Sequence, residues 1–144
     1  MRFMIIRKAD QATEAGALPT QELLEEMGKY MEEMGKAGVL LAGDGLQRSA
    51  KGARVRFAGG KTTVIDGPFA ETKELIAGYC LIQVNSKQEA VEWVKRWPQI
   101  DVNGELEIEI RQMFEAEDFG PEFTPEMQAH EERMRAAAEE RARK

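Results

Sequence analysis

Apolar residues recur along this chain in two rhythms, one of period two and one near 3.6, and the switches between them predict its elements. From Arg2 to Arg7, Phe3 and Ile5 fall on one face and Met4 and Ile6 on the other, so a strand covered on both sides is expected. A polar loop holding Gly16 and Pro19 leads to Thr20, a candidate N-cap. A helix then runs to about Lys36, with Leu23, Leu24, Met27, Tyr30, Met31 and Met34 at helical spacing and Gly38 beyond its end. Val39 to Leu46 reads as a second strand, interrupted by Gly43 and Gly45. Arg54 to Phe57 and Thr62 to Ile65, joined through Gly59-Gly60-Lys61, read as a β-hairpin. Ala77 to Val84 is the most apolar strand, again greasy on both faces, and Ser86 with Glu89 spells a capping box before a helix that Pro98 ends. Glu105 to Arg111 alternates strictly, with Leu106, Ile108 and Ile110 on one side and charge on the other. Thr124, with Pro125 behind it, opens a last helix towards Arg143 whose apolar content is thin.

The order is β-α-β, hairpin, β-α-β, which predicts an α+β fold: a ferredoxin-like antiparallel sheet with two helices on one face and a hairpin between its halves. Two helices cover one face of such a sheet, yet the first and third of its four strands, which that order places centrally, are apolar on both. A second subunit packed sheet to sheet is the simplest cover, so a homodimer is expected. Leaving Met4, Ile6 and their neighbours wet would forgo roughly 1.5–3 kcal/mol for each side chain.

Length and charge narrow the picture. At 144 residues the chain is of single-domain size, with net charge −6 from 20 Lys+Arg against 26 Asp+Glu. The stretch from Glu115 to Lys144 holds nine acids and five bases, and Gly120, Pro121 and Pro125 mark its junction. A domain over 1–114 and a mostly helical C-terminal extension over 115–144 are therefore expected. The acidic balance argues against a nucleic-acid partner: Arg54, Arg56 and Lys61 make the hairpin basic, but three cations are a small footprint for phosphates. The lone Cys80 rules out an intrachain disulfide and multi-cysteine metal sites. No apolar run approaches the roughly 20 residues that cross a bilayer, and the start of the chain is too short of apolar residues for a secretory signal. A cytoplasmic protein with no membrane partner is the expectation.

The run Val64-Ile65-Asp66-Gly67-Pro68-Phe69-Ala70-Glu71-Thr72-Lys73-Glu74-Leu75-Ile76-Ala77-Gly78 resembles the signature of the YCII-related family, in its DGPF-domain branch. Leu41-Ala42-Gly43-Asp44-Gly45-Leu46 upstream and Ser86-Lys87-Gln88-Glu89-Ala90 downstream agree, and the likeness covers about residues 1 to 119. The resemblance implies a dimeric α+β barrel, the architecture of muconolactone isomerases and small cofactor-free oxygenases, and members whose genes adjoin extracytoplasmic-function sigma factors. Related proteins have been proposed to use a His–Asp pair. This chain departs from that pattern, because its one histidine, His130, lies outside the matched region.

Asp66-Gly67-Pro68-Phe69 has two compatible readings. Asp opens turns by bonding its own backbone, Gly permits positive φ, Pro fixes φ and Phe anchors the loop, so an ordered turn explains all four. The same rigid turn would aim the Asp66 carboxylate into a cleft as a general base or hydrogen-bond acceptor. Asp44, Phe69, Glu71, Lys73 and Tyr79 are the candidate substrate-binding residues around it. For Glu71, Lys73 and Glu74 the plainer reading is a solvated, weakly paired face, and for Asp44 a bulge residue between two glycines. Asp44, Asp66, Glu71 and Glu74 match no known metal-binding loop, so no metal and no cofactor are expected. Cys80 reads as a small buried hydrophobe. Trp93 and Trp97 read as helix packing.

The expected activity is cofactor-free acid–base chemistry on a small organic molecule, isomerase- or lyase-like, built around Asp66. The alternative is a non-enzymatic ligand-sensing or protein-interaction module linked to a sigma factor through the acidic tail.

Overall fold

The computed structural model describes all 144 residues, Met1–Lys144. Its backbone divides into two compact units, Met1–Met113 and Phe114–Lys144.

The first unit is α+β. Four strands, β1 (Arg2–Lys8), β2 (Leu40–Gly45), β5 (Ile76–Gln83) and β6 (Ile108–Gln112), form one antiparallel sheet in the order β2-β5-β1-β6. β3 (Ala53–Ala58) and β4 (Lys61–Asp66) pair only with each other, as a separate two-stranded sheet. This is consistent with the ferredoxin-like arrangement expected from the sequence, and the two strands that are apolar on both faces, β1 and β5, are its central pair. The chain ends of the sheet meet in space: Phe3 stands opposite Gln112, and the Met113 N–H donates to the Arg2 carbonyl (2.9 Å).

Period-two patterning sorts β1 and β5 cleanly. Phe3, Ile5, Cys80 and Ile82 are buried under two helices, α2 (Gln21–Lys36) and α3 (Lys87–Lys95). These supply Tyr30, Met34 and Ala90 to the core, closed at one end by Trp97. The Tyr30 hydroxyl donates to the Trp93 carbonyl at 2.6 Å and its ring meets Trp97 edge-on at 5.6 Å, so the two helices are tied by a polar contact inside an apolar layer. Thr20 caps α2 by accepting from the Leu23 N–H (3.1 Å), and Ser86 caps α3 by accepting from the Glu89 N–H (3.1 Å). The Glu89 carboxylate, however, accepts from the Asn85 N–H, one residue before the cap, rather than from Ser86 itself.

Two stretches differ from the sequence expectation. The polar loop after β1 contains a one-turn helix, α1 (Gln11–Glu14), capped by Asp10: its carboxylate accepts from the Thr13 N–H (2.8 Å), while the Thr13 hydroxyl oxygen accepts from the Asp10 N–H (2.9 Å). Four residues are too few to show a helical period. The last strand begins at Ile108 rather than Glu105, because its partner β1 ends at Lys8, whose N–H donates to the Glu107 carbonyl (3.1 Å) as the link that precedes Ile108.

The second unit holds a 3-10 segment over Ala116–Glu122 and α4 (Pro125–Ala142), with Thr124 as its cap. Phe114 and Phe119 stack with centroids 4.9 Å apart, and Phe119 meets Phe123 at a tilt of 52° with centroids 5.1 Å apart. No helix of the protein is long and apolar enough to cross a membrane.

Candidate functional site

The hairpin turns at Gly59 and Gly60, both at positive φ (56° and 75°), the geometry that suits the twist of a two-residue hairpin loop. It delivers Asp66 to the end of β4, opposite Ala53. The turn that follows is held by its surroundings. The Gly67 N–H donates to the Gly52 carbonyl (3.0 Å), the Gly67–Pro68 peptide is cis, and the Phe69 N–H donates to the Ser49 hydroxyl (3.0 Å). Ser49 is fixed in turn by Glu14 of α1, whose two carboxylate oxygens accept from the Ser49 N–H (3.0 Å) and hydroxyl (2.5 Å). Gly67 lies so close to this segment that a Cβ there would stand 1.8 Å from the Ser49 carbonyl oxygen. The Arg54 guanidinium sits 3.9 Å from the centre of the half-buried Phe69 ring, a cation–π contact that covers its outer face. Asp66 itself is exposed and takes no part in these bonds. The turn is as ordered as the sequence implies, but Glu14 and Ser49 order it, not the aspartate.

A second group lies on the sheet face away from the helices. Cross-strand register sets Met4 against Leu81 and Ile6 against Tyr79, and all four are half-buried. On the β2 side Asp44 stands opposite Tyr79, and on the β6 side Glu109 stands opposite Ile6. Glu109 is bracketed by Lys8 (3.9 Å) and Arg111 (3.1 Å). The result is an apolar row with a free-standing carboxylate on one flank and a paired charge cluster on the other. The backbone is tight beside Asp44: a Cβ on Gly43 would stand 3.1 Å from the Cys80 Cβ, and one on Gly78 3.3 Å from the Asp44 carbonyl oxygen. Small residues there let β2 lie close along β5.

Of the residues singled out from the sequence, the structure thus makes Asp44 and Tyr79 cross-strand neighbours and places Asp66 and Phe69 in one pinned turn. Glu71 and Lys73 fall in the exposed 3-10 turn at Thr72–Glu74 and its lead-in. No three His, Cys, Asp or Glu side chains come together in a way that could hold a metal ion. Cys80 is buried, and burial pushes its thiol up to about 11, so it stays protonated and unreactive at neutral pH. His130 is exposed on α4, in an open groove of about 550 Å³ within the second unit, lined also by Phe123, Met127 and Met134.

Sequence reasoning missed one further cluster altogether. Arg7 is 7% exposed, and its guanidinium takes the Asp101 carboxylate in a two-point grip (3.0 and 2.9 Å). It also reaches Asp10 (3.4 Å) and the Lys8 carbonyl (2.9 Å), while Trp97 Nε1 donates to the same Asp101 (2.9 Å). Burial works against the Arg7 charge, but the Asp101 bond and charge, with Asp10 behind them, outweigh it and raise its pKa. The cluster faces the core side of β1, and it ties α1 and the turn at Gln99–Asp101 to the sheet. No local pattern announces it, since Arg7 and Asp101 are 94 positions apart.

Comparison with known proteins places this arrangement. Over 67 residues the chain is 40% identical to an uncharacterized protein of Rhizobium meliloti (strain 1021), a match covering 46% of this chain and 51% of that protein, so the chain spans about half the length of the curated relative. Among solved structures, it is similar to the 5-chloro-2-hydroxyhydroquinone dehydrochlorinase of Burkholderia phenoliruptrix AC1100, in complex with 2,5-dihydroxybenzoquinone. That likeness covers 81% of this chain and 98% of the other, at 13% identity and a TM-score of 0.39, too loose to carry over activity or assembly. The model of the YCII-related domain matches residues 1–114, the whole of the first unit and one residue beyond, and the chain belongs to the YCII-related family.

Proposed function

We propose that the chain binds a small organic molecule on the open face of its four-stranded sheet, beneath a second copy that covers that face, and acts on it by acid–base chemistry that needs no cofactor. The apolar row of Met4, Ile6, Tyr79 and Leu81, half-buried between Asp44 and the Lys8–Glu109–Arg111 cluster, carries this reading. Apolar floor with a few convergent polar groups is the usual composition of a small-molecule site. Asp66 is the proposed base, a carboxylate on a turn whose backbone is already fixed and which therefore needs little ordering to act. It would take a proton from carbon next to a carbonyl, while the Tyr79 hydroxyl donates to the oxygen on which negative charge builds. Asp44, Phe69, Glu71 and Lys73 complete the proposed binding set.

The test is thermal unfolding across a library of small carboxylates, phenols and quinones, with wild type beside Tyr79→Phe, Asp44→Asn and Asp66→Asn. A ligand at a hundred times its Kd adds about 2.7 kcal/mol, a rise of roughly 5–10 °C for a domain of this size. The expected result is a compound whose stabilisation shrinks in Tyr79→Phe and Asp44→Asn and whose turnover is lost in Asp66→Asn. Stabilisation untouched by all three variants, or by no compound at all, would overturn the site. Binding without turnover would make the same face a ligand-sensing one.

A further inference from the structure

Between Gln47 and Ile65 the chain carries five cations, Arg48, Lys51, Arg54, Arg56 and Lys61, and no acid; against a net charge of −6, the remainder of the molecule stands at −11. Register divides the hairpin built from this stretch into two unlike faces. Ala53 is opposite Asp66, Val55 opposite Val64 and Phe57 opposite Thr62, so those six side chains share one face. Arg54, Arg56 and Lys61 share the other. Apart from Thr62 the first face is apolar up to the end where Asp66 stands, and it is bare: Val55, Phe57 and Val64 are 53%, 78% and 63% exposed. A two-stranded ribbon with nothing on its apolar face is marginal in water.

We propose that a second copy of this chain covers the Val55–Phe57–Val64 face of the hairpin, and that in doing so it encloses Asp66, so the site is complete only in the dimer. This rests on the open sheet face being the ligand site, and deepens that reading by naming the element that closes it.

Three observations favour a second copy as the occupant. Charge is complementary, because the stretch from Gln47 to Ile65, which holds the ribbon and its base, stands at +5 against −11 for the rest of the chain and is drawn to it at long range. Surface is complementary, because each copy also offers the half-buried apolar row of Met4, Ile6, Tyr79 and Leu81. Reach suffices, since a six-residue strand spans about 20 Å and packed sheets lie about 10 Å apart. The base of the ribbon is already fixed through Ser49 and Glu14, so docking orders few further residues. With Phe57 seated on the partner's apolar row, the carboxylate at the other end of the same face is shut off from bulk water, as a base acting on a carbon acid requires.

Cysteine crosslinking tests the contact directly, because the one native thiol, Cys80, is buried and stays silent. Full-length Phe57→Cys protein is mixed with full-length Ile6→Cys protein under mild oxidation. A disulfide-linked heterodimer in excess of either homodimer is expected, and Phe57→Cys homodimers alone would overturn the seat. In sedimentation, Phe57→Asp should weaken the dimer roughly tenfold or more, while circular dichroism stays that of wild type because the side chain is exposed. A Phe57→Asp protein that dimerises like wild type overturns the arm and leaves the sheet-face reading standing. A wild-type monomer at every concentration overturns both. A dimer broken by Phe57→Asp, in a protein that no library compound stabilises, supports the arm and removes the ligand. A monomer whose hairpin instead binds vesicles of anionic lipid, lost in Phe57→Asp, replaces the second copy with a membrane surface and overturns the proposal.

Discussion

At the scale of single residues, the Arg7 cluster sets the largest individual energies. A buried guanidinium is tolerable only while its carboxylate partners are in place, and removing one partner of such a pair costs about 3–5 kcal/mol because the remaining charge is stranded. Asp101→Ala should therefore lower the unfolding free energy, read by urea titration, by about 3 kcal/mol or more, since it strands Arg7 and leaves Trp97 Nε1 without its acceptor. Arg7→Met keeps an apolar stem but strands Asp101, whose side chain is as buried as that of Arg7, so a comparable loss is expected. The cluster also has a pH signature. Burial tends to raise the Asp10 carboxyl, but the Thr13 N–H and the Arg7 charge outweigh it and hold Asp10 below the ordinary carboxylate range. A carboxylate more acidic folded than unfolded stabilises in full above its unfolded value, near pH 4, and that stabilisation fades as the pH falls through the folded value. Stability measured downward from pH 6 should thus fall less in Asp10→Asn than in wild type below about pH 4.

Among the elements, the turn after the hairpin is the one whose neighbours decide its shape. Its order is a relay through sequence-distant parts: Glu14 of α1 grips Ser49, and Ser49 holds the Phe69 amide. Gly67→Ala should displace the turn, because the added methyl carbon meets backbone rather than a side chain that can swing away. A loss of about 1–3 kcal/mol by thermal unfolding is expected, with faster cleavage by protease within residues 48–72. Helix starts at Thr20, Ser86 and Thr124 were legible beforehand because a cap is a local device, a side-chain oxygen serving an amide three residues on. The split of Phe3 and Ile5 from Met4 and Ile6 was legible for a like reason, since strand period is set by neighbours along the chain. The Glu14–Ser49–Phe69 relay and the Arg7–Asp101 grip were not, because each joins residues that only the finished fold brings together. The candidate site divides the same way: the motif showed which loop to watch, and register was needed to set Asp44 beside Tyr79.

For the molecule as a whole, the open question of cover is a question of concentration. The proposed dimer makes folding and association one equilibrium, so the melting temperature of wild type should climb as protein concentration rises, and that of Phe57→Asp should begin to climb only at roughly tenfold higher concentration or above. High salt should also weaken wild-type association, since part of the attraction is long-ranged between unlike charges. A melting temperature independent of concentration would place the apolar row of the sheet permanently in water.

The pairing of Phe3 with Gln112 fixes when this sheet can be finished. β1 sits between β5 and β6, so the first strand to leave the ribosome must wait for the last one of the sheet before both its edges are satisfied. Until then a nascent chain holds Met4 and Ile6 beside an unpaired backbone, an adhesive edge in a crowded cell. Closing it spans nearly the whole first unit, which makes maturation slow for a protein of this size and exposes newly made copies, while they wait, to each other.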